Sequence, residues 1–297
     1  MTGSASFSLF LPQIHMTPDA IEHRVRTAEE FGFDGVALMD HLVPPGRPDG
    51  ECYEGFVLAS FLAARTQRLQ ISHLVVCSEF RPPALLAKMA TTLDHVSGGR
   101  FELGVGWGSW PEEFAQFGLP DYPPAVRAAR LAESLDIIER LWSGERFDHA
   151  GTHFTLREAL QLPAPLNGRI PILIGGSGKR YTLPLVRRFA DWWNCPSYAM
   201  DRLDELVPLA GSARVSAQHP IGLVAHSGER DAVTDEALRR YGNWGGLIVG
   251  TSDEVIAALV QEKEAGVERF FVLFTDFAQP DTIRRFATEV IPAVAQA

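Results

Sequence analysis

Two stretches of this chain carry residues whose types and spacing can do chemistry. The first runs from Pro171 to Arg180, Pro-Ile-Leu-Ile-Gly-Gly-Ser-Gly-Lys-Arg. Ile172 to Ile174 reads as a short buried strand. Gly175, Gly176, Ser177 and Gly178 then break it, and a helical pattern begins at Lys179. A strand, a glycine loop and a helix start aim backbone N–H groups at one point, the geometry that holds a phosphate or another anion. Lys179 and Arg180 add positive charge beside it. A glycine turn after a strand also has a plain packing reading. The second stretch is Asp40-His41, at the end of another short apolar run. A histidine there can donate or accept a proton near neutral pH. Equally, it can be a loop residue hydrogen-bonded to its neighbour.

Other chemistries are poorly served. Asp40, His41 and His226 have neither the spacing nor the carboxylate company of a metal site, and no metal is expected. Cys52, Cys77 and Cys195 are far apart, with no C-x-x-C pair. They read as reduced thiols, and Cys77 as a wall residue without an evident base. No G-x-S-x-G nucleophile elbow occurs. The formal net charge of −10 argues against nucleic acid or an anionic membrane surface as partner. Neither a signal-peptide pattern nor an apolar run of membrane-spanning length is evident, so a cytoplasmic location is expected.

The elements that must position these residues alternate regularly. Strands are predicted at Phe7–Leu11, Gly35–Met39, Leu69–Val76 and Phe101–Val105, with helices after them at Ala20–Phe31, Tyr53–Arg65, Pro82–Val96 and Ala125–Trp142. Ser97-Gly98-Gly99 is a helix stop. The stretch from Gly144 to Pro165 breaks the rhythm and reads as an insertion with a small hairpin. Strands resume at Ile172–Ile174, Asp191–Cys195, Ile221–Ala225 and Phe270–Phe274, again with helical patterns after them. With 297 residues and 46% hydrophobic content, the chain is expected to be one domain, 1–297. The fold expected is α/β, a (β/α)8 TIM barrel with an insertion between strands four and five. A doubly wound open sheet is the alternative.

In a barrel the active site lies at the C-terminal strand ends. That rim would collect Gln13, Asp40, His41, Cys77, Ser78, Glu79, the Gly106-Trp107-Gly108-Ser109 turn, the Gly175 loop, Asn194, His226, Thr275 and Asp276. Gly104, Gly106 and Gly108 would let a flat ring come close, because a side chain there would obstruct it.

These residues resemble the bacterial luciferase-like monooxygenase superfamily over nearly the whole chain. The match is carried by Ala37-Leu-Met-Asp-His-Leu42, by Arg81 to Arg100, by Phe101-Glu-Leu-Gly-Val-Gly-Trp-Gly108 with Glu113-Phe114 after it, and by Ile172 to Asn194. The last segment is similar to members that use coenzyme F420, a deazaflavin. The resemblance implies an oxidoreductase that moves a hydride between F420 and a small organic substrate, usually as a homodimer. An FMN-dependent monooxygenase fed by a separate reductase and a non-catalytic flavin-binding relative are the alternatives. By resemblance, His41 and Asp40 are the catalytic pair. Leu74, Val75, Cys77, Gly106, Trp107, Gly175, Gly176, Ser177, Gly178 and Lys179 are the cofactor contacts. Leu74–Val75 aligns with a strand-three bulge that often carries a non-proline cis peptide. Ser109 stands where some sugar-phosphate dehydrogenases of this branch carry an acid, which argues against a sugar-phosphate reaction.

Overall fold

Period-two alternation along the strands sets the architecture. The computed structural model describes residues 5–47 and 49–297. Its barrel strands are β1 (Ser6–Phe10), β2 (Gly35–Leu38), β3 (Gln70–His73), β4 (Phe101–Gly106), β5 (Ile172–Gly175), β6 (Trp192–Cys195), β7 (Arg214–Leu223) and β8 (Arg269–Phe274). They pair in parallel and in chain order, and β8 closes on β1 at Phe7↔Phe270. The result is the expected (β/α)8 TIM barrel. Successive side chains point to opposite faces. Phe7, Leu9, Ile71, Phe101, Leu103, Ile172, Trp193 and Val272 therefore pack outward under the helices. Phe10, Ala37, Leu173, Trp192, Phe271 and Leu273 fill the lumen.

The lumen also holds a buried ion pair. Arg269 donates to both oxygens of Glu102, at 2.7 and 2.9 Å. Ser72 lies 3.4 Å from the same carboxylate, and the guanidinium sits 3.7 Å from the centre of the Trp192 ring.

The helices are α1 (Pro18–Glu30), α2 (Gly55–Arg65), α3 (Pro83–Ser97), α4 (Pro111–Gln116), α5 (Pro124–Trp142), α6 (Thr182–Phe189), α7 (Leu203–Leu206), α8 (Arg230–Tyr241) and α9 (Ser252–Glu264), with a closing helical run from Pro280 to Gln296. Their ends follow local chemistry. The Thr17 side chain accepts from the Ala20 N–H at the start of α1, and Thr251 with Glu254 forms a capping box on α9. Gly98, at φ +69°, ends α3 in the left-handed conformation that glycine adopts without a steric cost. The insertion contains the expected hairpin, Phe147–Ala150 against Thr155–Ala159. Glu133 of α5 fastens it by accepting from the backbone N–H groups of His153 and Phe154.

One element follows what the resemblance implied, and two differ from the sequence reading. The third strand is not continuous: regular pairing stops at His73 and resumes at Val76–Cys77, which pairs with Val105 and Gly106. Between them the Leu74–Val75 peptide is cis. This bulge presses on β4. A Cβ at Gly104 would lie 1.9 Å from the His73 carbonyl oxygen, and one at Gly106 would lie 2.9 Å from the Val75 side chain. Those glycines make room for the neighbouring strand. The seventh strand begins at Arg214, seven residues before the predicted start at Ile221. Its lumen-facing Ser216 and Gln218 are polar, which hid the alternation. The helix after the glycine loop begins at Thr182, because Lys179 and Arg180 form a turn. Among the described residues, no helix is long and apolar enough to cross a membrane.

Candidate active site

A cleft of about 500 Å³ opens at the C-terminal ends of the strands. Leu74 and Val75 of the bulge, Gly106 to Trp110, the Gly175–Gly178 loop, Asn194, Tyr198 and Gln218 all line it. Asp40, His41 and Cys77 line it too, so the structure brings every predicted site residue except Lys179 to one cavity. Lys179 is turned outward into an ion pair with Glu205 of α7. An exposed acid within reach holds the ammonium away from the loop. Among the described residues, no lysine or arginine lines the cleft.

The glycine loop is only partly free to bind. The Gly176 N–H donates to the Asn194 carbonyl at 3.1 Å, and the Gly176 carbonyl accepts from the Trp193 indole at 2.8 Å. Gly178 gives its carbonyl to the Thr182 N–H, the first residue of α6. Among the described residues, the N–H groups of Ser177, Gly178 and Lys179 have no partner. Gly176 is at φ +121°, and a Cβ at Gly178 would lie 3.0 Å from the Thr182 hydroxyl. The loop can take that shape only without side chains at these positions. Three unpaired N–H groups before a helix start remain available to an anion.

His41 is held by a residue that sequence reasoning did not connect to it. Its Nδ1 lies 2.9 Å from Glu113 Oε2. The other Glu113 oxygen accepts from the Leu42 and Val43 N–H groups. Glu113 sits in the first turn of α4, with its side chain 2% exposed, whereas the His41 side chain is 24% exposed. The carboxylate can only accept, so Nδ1 carries a proton and Nε2 is the ring nitrogen left for chemistry.

Asp40 has different work. Arg81 grips it through both terminal nitrogens, at 2.7 and 2.9 Å, and the Cys77 N–H donates to it at 2.9 Å. Arg81 also reaches Glu54. Asp40 and His41 thus share the cleft without forming a pair: the partner of His41 is Glu113. Burial pushes the Cys77 thiol up to about 12, which makes it a neutral wall residue. Trp107 is half-buried and meets Tyr181 edge-on at 6.0 Å.

Several rim residues lie elsewhere. Gln13 is buried and ties both backbone groups of Met39. His226 is exposed, beyond the end of β7. Thr275 and Asp276 serve the local structure at Arg240 and Thr282. Glu113, Arg81, Tyr198 and Gln218 were missed as site residues. Glu113 alone left a signal, as an acid in the first turn of a helix that opens with proline. Among the described residues, no group of histidine, cysteine and carboxylate side chains is arranged to hold a metal ion.

Known proteins resemble this chain in sequence and in fold. The chain is similar to an F420-dependent glucose-6-phosphate dehydrogenase of Microbacterium testaceum (strain StLB037), at 38% identity over 157 residues, 52% of this chain and 46% of that protein. It shares its fold with an F420-dependent secondary alcohol dehydrogenase in complex with an F420–acetone adduct (TM-score 0.85, 18% identity, 98% of this chain and 99% of that one). The oxygenating constituent of 3,6-diketocamphane monooxygenase from Pseudomonas putida, in complex with FMN, has the same fold (TM-score 0.78, 18% identity, 97% and 98%). Proteins that this chain resembles in sequence or in fold thus include F420-dependent ones and one in complex with FMN. The family model for luciferase-like monooxygenases matches residues 4–241, which takes in β1 to β7 and the whole cleft, and the chain belongs to that family.

Proposed function

We propose that this protein transfers a hydride between coenzyme F420 and a small organic substrate, with His41 handling the accompanying proton. The observation that carries the reading is one cleft with two facilities: unpaired N–H groups at Ser177, Gly178 and Lys179, and a histidine whose Nδ1 is anchored by a buried carboxylate. The donor set fits a phosphate-bearing flavin analogue. Ser177 to Lys179 would hold its phosphate, and Val75, Gly106 and Trp107 would line its ring. A bound deazaflavin supplies two-electron hydride chemistry and reacts poorly with oxygen. The protein's part is to orient, to exclude water and to give or take a proton at His41 Nε2. Asp40 is a positioning residue: with Arg81 it pins the Cys77 backbone, and so the end of the bulge.

The similarity to F420-dependent relatives favours the deazaflavin, and the shared fold with an FMN enzyme keeps FMN as the competing cofactor. Titration separates them. Tight binding of F420 with negligible binding of FMN is expected, and the reverse would overturn the reading. Among the described residues, the cleft offers no lysine or arginine for a second phosphate, which favours a substrate that is not a sugar phosphate.

The phosphate position has its own test. Ser177→Asp places a negative charge beside the three free N–H groups. It is expected to weaken cofactor binding at least tenfold, about 1.4 kcal/mol, with thermal stability unchanged. Equal affinity in the variant would exclude this loop as the phosphate site.

A further inference from the structure

A second cleft, of about 300 Å³, lies beside the first at the same end of the barrel. The two meet at the end of β2, where Met39 lines the second and Asp40 and His41 line the first. We propose that this second cleft binds a small planar aromatic carboxylate, the ring on its apolar floor and the acid group at its arginine rim. Where that ligand is the substrate, the assignment rests on the function proposed above. The binding itself does not.

The floor is aromatic and aliphatic: Ile14, Met39, Tyr241, Trp244 and Phe277. Tyr241 and Trp244 meet edge-on, with ring centres 5.4 Å apart, a corner that a third flat ring can complete. The rim is cationic. Arg47, Arg239 and Arg240 line the cleft, and among the described residues no acidic side chain does. In a chain of formal net charge −10, such a rim is complementary to an anion and to little else. Arg239 and Arg240 share the single carboxylate of Glu236, so the group retains net positive charge.

Independent of the charge, an unsatisfied donor points the same way. Tyr241 is 6% exposed and lines the cleft, yet its hydroxyl has no hydrogen-bond partner among the described residues. Burial pushes that phenol up to about 12, so it stays a donor. The hydroxyl oxygen itself stays open to the cleft, so a ligand oxygen there would accept its hydrogen bond. The backbone around the cleft is strained as well: His15, Phe277 and Ala278 adopt φ of +54°, +60° and +55°. Non-glycine residues held in that region cluster at ligand sites.

The test uses the full chain and two probes of one shape, 2-naphthoate and 2-naphthylmethanol, titrated by calorimetry without and with saturating F420. Naphthoate is expected to bind at least tenfold more tightly than the alcohol, and not to be displaced by F420. Tyr241→Phe and the double variant Arg47→Gln/Arg239→Gln are each expected to weaken naphthoate at least fivefold and to leave the alcohol unchanged. Equal affinity for acid and alcohol, or indifference to both variants, would overturn the proposal. So would displacement by F420, which would put the probe in the first cleft. If F420 itself fails to bind while naphthoate keeps its arginine dependence, the cofactor reading falls and the second site stands.

Discussion

His41→Ala is expected to lower the rate of single-turnover hydride transfer by ~10²–10⁴-fold, the usual contribution of a positioned general acid or base. Cofactor affinity should change only a few-fold, because His41 faces the cleft from the β2 side and the free N–H groups lie across it on the β5 loop. Glu113→Gln should also slow transfer, by a smaller factor. An amide can still bond Nδ1, but it can present its own N–H to the ring and favour the wrong tautomer. Because Glu113 also accepts from the Leu42 and Val43 N–H groups, the variant must be shown to retain its melting temperature. The expected signature is a lowered rate with a displaced pH profile in Glu113→Gln and no pH-dependent limb in His41→Ala. Equal rates in wild type and His41→Ala would remove the histidine from the mechanism. No residue of the 144–165 insertion lines the cleft, and Cys77 holds its proton up to about 12. Water or the Tyr198 hydroxyl, which also lines the cleft, would then be the candidate source.

Arg269→Met is expected to cost about 3–5 kcal/mol of stability at pH 7, because it strands a fully buried carboxylate. Burial already pushes the Glu102 carboxyl up from its ordinary range, against the pull of Arg269 and Ser72. Without the guanidinium it rises further. The sign of the pH effect follows. A carboxyl whose folded pKa lies above its unfolded value binds more protons in the folded state. Unfolding then becomes harder as pH falls, and the penalty grows as pH rises above the unfolded pKa. The loss in Arg269→Met should therefore be largest near pH 7 and should shrink toward pH 5. Urea unfolding of both proteins at the two pH values measures it. The double variant Arg269→Met/Glu102→Gln should recover most of the loss, since no charge is then buried alone. A deficit below about 1 kcal/mol, or one independent of pH, would show that water reaches Glu102 in the variant.

The sequence by itself determined the barrel. Strand lengths, helical spacing and the Gly98 stop are local signals, and each strand of the closed sheet lies at or beside its predicted place. The glycine loop after β5 and the histidine after β2 were legible for the same reason: strand ends locate the rim of a barrel. The bulge at Leu74–Val75 came from resemblance alone, because nothing in the residues Leu74 and Val75 marks a break. What the neighbours do was settled only in three dimensions. Asp40 pairs with Arg81, 41 residues away, and His41 with Glu113, 72 residues away. An acid next to a histidine in sequence has no preference for it over one brought by another strand end. Lys179 looked like a phosphate ligand because charge beside a glycine loop favours anions, but Glu205 reaches it first. Ser216 and Gln218 disguised the start of β7, since polar residues facing a lumen read as loop. The arginine rim of the second cleft joins Arg47 with Arg239 and Arg240, a meeting that strand pairing and barrel closure create and that no local pattern encodes.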